Sequence, residues 1–575
     1  MTDIKRRDLL KGGAAGAAGI AAGAAAVTTG LATTASGASP ANPDTGSAAD
    51  LVLVNGRIHT MDDDGTVARA VAIRDGRFVA VGIAVPNPGR HGRRIDLGGR
   101  TVVPGLIESH THFVSLANRP GYHVAQLELA ANLAEVQDHL AARRPDVPEG
   151  QFITALGGWH PRQWAEQRLP TRAELDAAVP DRPVFLLQTF AGPSVTNSLG
   201  KQFFETVTSP LAGPVAVADN GAIASGLPTT TALYHLRVRQ TFDDKRRSAL
   251  DAMAFSAQVG VTTVLDQVIP PSPGPLTPNQ ALSALDHYRM YDAWLSLHRE
   301  RRAFIRLQAN FLHNQGNIPA LGDLANQLPE LRERLRHQFQ FFGDDIVRTG
   351  AIGEWAAPIG AGAVWFEAQR LVAQARWRNE NSPGNLAALA QVVDAYEAVD
   401  AEFGITDLRW GVQHINQATP ELLARLKALN CGVSMSGFRW LQGNPGPNPV
   451  GPPFRMIVDS GIPAGLHEDG VHIAPHNPWF ALHYATTGLN VLGQPINGDQ
   501  QLTRVEALYA YTRANAWYLN REDRLGSIEP GKLADLVVLD RDYFTVSDAD
   551  LRRTKPVLTV VGGEVVHDTG EVPVR

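Results

Sequence analysis

Two histidines spaced i, i+2 end an apolar run in Val102-Val103-Pro104-Gly105-Leu106-Ile107-Glu108-Ser109-His110-Thr111-His112. On a strand, alternate side chains share a face, so His110 and His112 point the same way. Two neutral imidazoles on one face can hold one cation between them. The apolar run reads as a buried strand that delivers the pair to its C-terminal end. A cation held there with an open position makes hydroxide near neutral pH, the usual reason a hydrolase carries such a pair. The plain alternative is two ordinary strand histidines, because a lone His-x-His is a weak signal.

The setting adds to the pair. The run PGLIESHTH resembles the PG-(F/L)-I-D-x-H-x-H signature of the amidohydrolase superfamily. Leu525-Gly526-Ser527-Ile528-Glu529-Pro530-Gly531-Lys532-Leu533-Ala534-Asp535-Leu536 resembles the segment that closes those enzymes. Both matches stand in the right order, and the resemblance covers about residue 50 to the C-terminus. The nearest branch is the broad group of N-substituted formamide deformylase-like and YtcJ-like proteins.

The resemblance implies further site residues. His414, after Trp410-Gly411-Val412-Gln413, stands just before a helix start and is similar to the later-strand histidine of an E-H-A motif, with Gln413 in place of the glutamate. Asp469 matches the aspartate after the last barrel strand, which in the family binds metal and takes the proton of the attacking water; Glu468 stands where a serine is usual. Glu354, in Gly350-Ala351-Ile352-Gly353-Glu354, resembles a G-x-G-E form found in place of a carboxylated lysine, with two residues rather than one between the glycines. The nearby Arg348 cannot do that lysine's chemistry. Gly157-Gly158-Trp159-His160 is similar to a substrate-side G-W-(D/N) segment, so Trp159 and His160 are candidate substrate contacts. His313 is a further strand-end candidate. Each has a bland rival: a strand-end cap, an Asp-Gly turn, a surface glutamate, or tryptophans that simply fill core.

Two departures limit the expectation. Arg378-Asn379-Glu380-Asn381-Ser382-Pro383-Gly384 holds no histidine where relatives place a ligand, and Ala191-Gly192-Pro193 lacks a substrate-side histidine. A full binuclear site is therefore not expected. The site is mononuclear, altered or lost. The expectation is one divalent cation per chain, zinc by ligand type, held by His110, His112, Glu354, His414 and Asp469. It would cleave a C–N bond of a small amide, formamide or cyclic amide. The rival readings are a degenerate small-molecule binder without catalysis and a lyase or isomerase on the same scaffold.

The elements that must position these residues follow from pattern. From Leu51 to Val103, short β-branched runs are broken at Asn55-Gly56 and Asp75-Gly76, and each dipeptide predicts a hairpin. The tail repeats this style around Gly562-Gly563. One small β-sandwich built from both ends (51–103 and 525–575) is expected. Between them, 104–524 alternates strands and helices. Thr171-Arg172-Ala173-Glu174 is a capping box ahead of the strand Val184–Leu187. The segment 252–258 reads as helix before Gly260 and the strand Val261–Leu265. Thr419-Pro420 caps a helix whose apolar face is Leu422, Leu423, Leu426 and Leu429. Repeated βα units in a chain of this length predict an α/β fold with a closed (β/α)8 TIM-like barrel. The loops Pro270–Pro278 and Gly443–Pro453 are candidate covers for its pocket.

Composition sets the outer limits. The chain has 575 residues, 44% hydrophobic and 19% charged, with a net charge of −6 and no basic stripe, which argues against a nucleic-acid partner. Cys431 is the only cysteine, so no internal disulfide forms, and a small buried apolar role fits it. Lys5-Arg6-Arg7-Asp8-Leu9-Leu10-Lys11, followed by an Ala/Gly-rich stretch, reads as a twin-arginine signal over 1–38 with a linker at 39–50. That address implies contact with the translocation machinery, a periplasmic or secreted product, and no membrane span after processing. Self-association to a homo-oligomer stays open.

Overall fold

The computed structural model describes residues 49–573 except 115–118, 125–126, 128, 190–191, 269–286 and 471–472. The expected export signal, nearly all of the linker and the loop Pro270–Pro278 lie outside the described residues. Among the described residues no helix is long and apolar enough to cross a membrane.

Both chain ends fold into two sheets that face one another. A four-stranded sheet runs Arg77–Gly82, Ala70–Arg74, Ala49–Val54, Pro88–Asp96, and a six-stranded sheet runs Glu564–Asp568, Pro556–Val561, Leu536–Leu539, Thr101–Pro104, Arg57–His59, Val67–Ala68. Leu51, Leu53, Ile73 and Phe78 of the first share one core with Val102, Leu536, Val538 and Val560 of the second. Ala49 and Asp50 are already strand rather than linker.

The Asp75-Gly76 and Gly562-Gly563 hairpins form as expected. Both central residues of each turn have positive φ (50° and 71°; 55° and 81°), as a type I′ turn requires. Asn55-Gly56 does not form a hairpin. Asn55 is left-handed but Gly56 is not, so the turn type is unavailable. The chain passes instead from one sheet into the other, and a Cβ on Gly56 would stand 2.5 Å from Leu97.

The middle of the chain contributes eight parallel strands: β1 (Leu106–Thr111), β2 (Val261–Val268), β3 (Arg306–Phe311), β4 (Val347–Ile352), β5 (Glu380–Asn381), β6 (Gly411–Ile415), β7 (Gly432–Ser436) and β8 (Ala464–His467). They pair in chain order as two four-stranded sheets, β1 to β4 and β5 to β8. A parallel bridge between Ile352 and Asn379 joins β4 to the start of β5. On the other side, the Asn515 side-chain amide donates to Ile107 O (2.6 Å) and Leu466 O (2.7 Å), strapping β1 to β8. A Cβ on Gly465 would come within 2.1 Å of that amide, so only glycine fits beneath it.

Helices follow the strands as the caps dictate. Gly260 ends the helix Phe242–Val259 in the left-handed region and turns it into β2. Thr419 accepts from Leu422 N, and Leu422, Leu423 and Leu426 are buried. The Thr171 capping box also forms. Its following strand Val184–Leu187, however, does not join the eight. It lies in a separate five-stranded sheet with Tyr122–His123, Ile153–Leu156, Ser194–Thr196 and Ala222–Ile223, inserted between β1 and β2. A βα pattern reports local period, not which sheet receives the strand.

The terminal sheets are fastened to the eight strands by a buried ion pair. Arg306 at the start of β3 donates twice to Asp535 (2.7 and 2.8 Å), and neither side chain is more than 5% exposed. Gly105 lies against the same carboxylate: its added Cβ would fall 2.9 Å from Asp535 Cβ and 2.3 Å from Thr262 Oγ1.

Candidate metal centre

The C-terminal ends of β1, β4, β6 and β8 bring five donors together. His110 Nε2 lies 3.5 Å from Asp469 Oδ1 and 3.9 Å from Glu354 Oε2. His112 Nε2 is 3.6 Å from Asp469 Oδ1. His414 Nε2 is 3.2 Å from Glu354 Oε1 and 3.6 Å from Asp469 Oδ2. The donors fall into two overlapping triads that share His110, His110–His414–Asp469 and His110–His112–Glu354, each with its ligand atoms within 4.8 Å of one another, close enough to hold a cation. Both nitrogens of His110 and Oδ1 of Asp469 are buried without a hydrogen-bond partner, as donors awaiting a cation would be.

Backbone irregularities aim these side chains. β1 gains a residue against β2 between Glu108 and Thr111, a bulge that re-aims the strand end. Glu108 then meets Tyr511 outside the sheet, Ser109 meets Ser434 (2.9 Å), and His110 faces Asp469. His414 (φ 49°) and Asp469 (φ 54°) both adopt left-handed backbone at strand ends. Such strain persists only where the surroundings hold it, and it gathers at functional sites. At His414 it breaks strand alternation: Gln413 reaches Glu380 while its neighbour His414 reaches Glu354. His112 Nδ1 lies 2.9 Å from Gln267 O, which places the proton on Nδ1 and turns Nε2, 3.6 Å from Asp469 Oδ1, toward the cluster as the ligating atom.

Electrostatics divide the donors: His110 and Glu354 are pushed toward their ligand forms, Asp469 and His414 away from them. Burial, reinforced by His414, His467 and His112, pushes His110 well below the usual histidine range, so it is neutral. Burial lifts Asp469 to about 6, with Glu354 adding and His414 and His112 opposing. Glu354 goes the other way: burial raises it, but the hydrogen bond and charge of His414 outweigh that and lower it. His414 is raised because Asp469 and Glu354 overcome its burial. A dication would dominate all of these shifts.

The three expected substrate contacts have local partners of their own. Trp159 is buried and stacks on Trp164 (centroids 5.1 Å apart) inside the inserted sheet's own core. His160 caps the short turn Pro161–Gln163, its Nδ1 accepting from Arg162 N at 3.0 Å. His313 is fully buried and accepts from Arg334 Nε at 3.2 Å. All three are held by local packing rather than by the donor cluster. Conversely, His467, not among the expected site residues, closes β8, is fully buried, and its ring lies 4.9 Å from that of His414 and 5.0 Å from that of His110. Its i, i+2 spacing from Asp469 repeats that of His110 and His112 and was the available signal. β5 contributes no histidine; Glu380 fills its inner position.

Comparison with known proteins agrees with this architecture. Residues 93–567 match the amidohydrolase family. The chain is 26% identical over 563 residues to N-substituted formamide deformylase of Arthrobacter pascens, covering 90% of this chain and 98% of that one. It is 24% identical to putative amidohydrolase YtcJ of Bacillus subtilis, covering 89% and 98%. Among solved structures it is similar to an uncharacterized metal-dependent hydrolase of Pyrococcus horikoshii (TM-score 0.54, 17% identity, 87% and 99% covered). It is also similar to a mutant atrazine chlorohydrolase of Arthrobacter aurescens crystallised with zinc and atraton (TM-score 0.53, 16% identity, 90% and 95% covered). With a match spanning most of its length, this chain belongs to the amidohydrolase family.

Proposed function

We propose that the protein is a metal-dependent hydrolase that cleaves a C–N bond in an amide, formamide or cyclic amide. The observation that carries this reading is that three imidazoles and two carboxylates, from strands far apart in sequence, gather in two overlapping triads that share the buried His110. In this reading the two four-stranded sheets close into a (β/α)8 barrel, and the donors stand at the C-terminal mouth where barrel enzymes keep their sites. The similarity to N-substituted formamide deformylase supports the bond type.

His110, His112, Glu354, His414 and Asp469 would hold one divalent cation, zinc by donor type. When bound, it supplies Lewis acidity, polarising a substrate carbonyl and easing ionisation of water. The protein's own part is proton transfer and orientation. Asp469 sits between His110, His112 and His414, placed to take a proton from attacking water and return it to the leaving nitrogen. His112, locked by Gln267 O, keeps one tautomer throughout. The missing histidine on β5 favours a second reading, a barrel that binds a small molecule without catalysis.

Metal analysis of purified protein expressed with zinc separates the two. About one zinc per chain, lost in His110→Ala, together with turnover of an N-substituted formamide, supports the hydrolase. No metal in the wild type rejects it.

A further inference from the structure

Beneath the donor cluster lies a buried carboxylate that none of the chemistry above uses. Glu380 on β5 is 1% exposed, and its Oε2 accepts from three side-chain amides: Gln413 Nε2 (2.7 Å), Asn310 Nδ2 (2.9 Å) and Gln267 Nε2 (3.1 Å). Those amides come from β6, β3 and β2. Its Oε1 faces Arg378 at 3.6 Å. The strand that lacks the expected histidine thus supplies the one acceptor on which three other strands converge.

Each amide leads on to the candidate metal centre. Gln413 immediately precedes His414, whose left-handed backbone sends the two side chains to different partners. Gln267 offers its backbone carbonyl to His112 Nδ1 while its side chain holds Glu380. Asn310 turns its other end to Ala351 N (2.8 Å), three residues before Glu354. Gly353 closes the space: a Cβ there would stand 2.8 Å from both Glu380 Oε2 and Asn310 Nδ2.

We propose that Glu380 is a positioning residue for the metal centre, fixing through Gln413, Gln267 and Asn310 the aim of His414, His112 and Glu354. It touches neither the cation nor the substrate. Partners of ligands that act in this way typically set metal affinity by roughly 10–100-fold. The inference rests on the metal-centre reading above.

The test is zinc affinity of the full chain, measured by competition with a chromophoric chelator, alongside melting of the metal-free protein. Glu380→Gln keeps the shape but offers the three amides a poorer acceptor. Because it also leaves Arg378 without its counter-charge, Gln413→Met is measured beside it, since that change spares the Glu380–Arg378 pair. The expected result is a zinc Kd weakened roughly 10–100-fold in Gln413→Met, and in Glu380→Gln where it folds, with the metal-free melting temperature of Gln413→Met close to wild type. The visible spectrum of the cobalt-substituted variant should also shift, reporting altered ligand geometry. A zinc Kd within twofold of wild type, with an unchanged cobalt spectrum, overturns the proposal even if the protein is destabilised. A wild type that binds no zinc overturns the metal-centre reading itself, and this one with it.

Discussion

Replacing Asp535 with asparagine removes one half of the buried pair that ties the terminal sheets to the eight strands. The carboxylate accepts two bonds from Arg306 (2.7 and 2.8 Å) and a third from Gly562 N (2.8 Å), all out of water. The Asp535→Asn change would leave a guanidinium 2% exposed without its paired carboxylate, opposed only by the lesser charge effects of Asp345 and Asp344. Breaking one partner of such a pair costs about 3–5 kcal/mol, mostly as an uncompensated buried charge. Unfolding entropy near 2.1 cal/mol/K per residue gives ~1.1 kcal/mol/K for a cooperative unit of ~525 residues, so the melting temperature falls by only about 3–5 °C. If the terminal sheets melt first as a unit of ~100 residues, the same loss shifts that transition by ~14–24 °C. Differential scanning calorimetry distinguishes the two, because the second case shows a separate early peak. The double variant Arg306→Met/Asp535→Leu, which removes both charges, should recover most of the loss. A single Asp535→Asn variant that melts within about 1 °C of wild type, well under the shift expected of either unit, or a double variant no better than the single, refutes the reasoning.

Asp469→Asn is expected to lower turnover of a hydrolysed amide by roughly 10²–10⁴-fold with far-UV circular dichroism unchanged, since a positioned proton acceptor is worth about that much; unchanged turnover rejects its role. Gly353→Ala forces a methyl to within 2.8 Å of Glu380 and Asn310, so metal content should fall; full zinc loading shows that the strand end has room to give. Cys431 is fully buried, and burial pushes its thiol well above the usual range, so a disulfide reagent should react only after denaturation; labelling of the native protein refutes that packing. Arg6→Lys/Arg7→Lys should hold the protein in the cytoplasm on fractionation, and unimpaired export would reject the twin-arginine reading.

What the sequence alone determined is local. The i, i+2 histidines, the Asp-Gly and Gly-Gly hairpins, the Thr171 and Thr419 caps and the Gly260 helix end follow from spacing and from the φ each residue tolerates. His414 could be singled out by its place before a helix start together with the family resemblance, and Asp469 by that resemblance alone. Tertiary structure decided everything that depends on which strand meets which. Asn55-Gly56 has the same pattern as Asp75-Gly76, but Leu97 and the φ of Gly56 send its two arms into different sheets. Trp159 and His313 read either as substrate contacts or as core, and only the fold shows that they pack against Trp164 and Arg334. Glu380 carries no signal at all, since its meaning lies in amides 33, 70 and 113 residues away. A side chain's period is written in its neighbours along the chain, whereas its partners are chosen by the closing of strands across hundreds of residues.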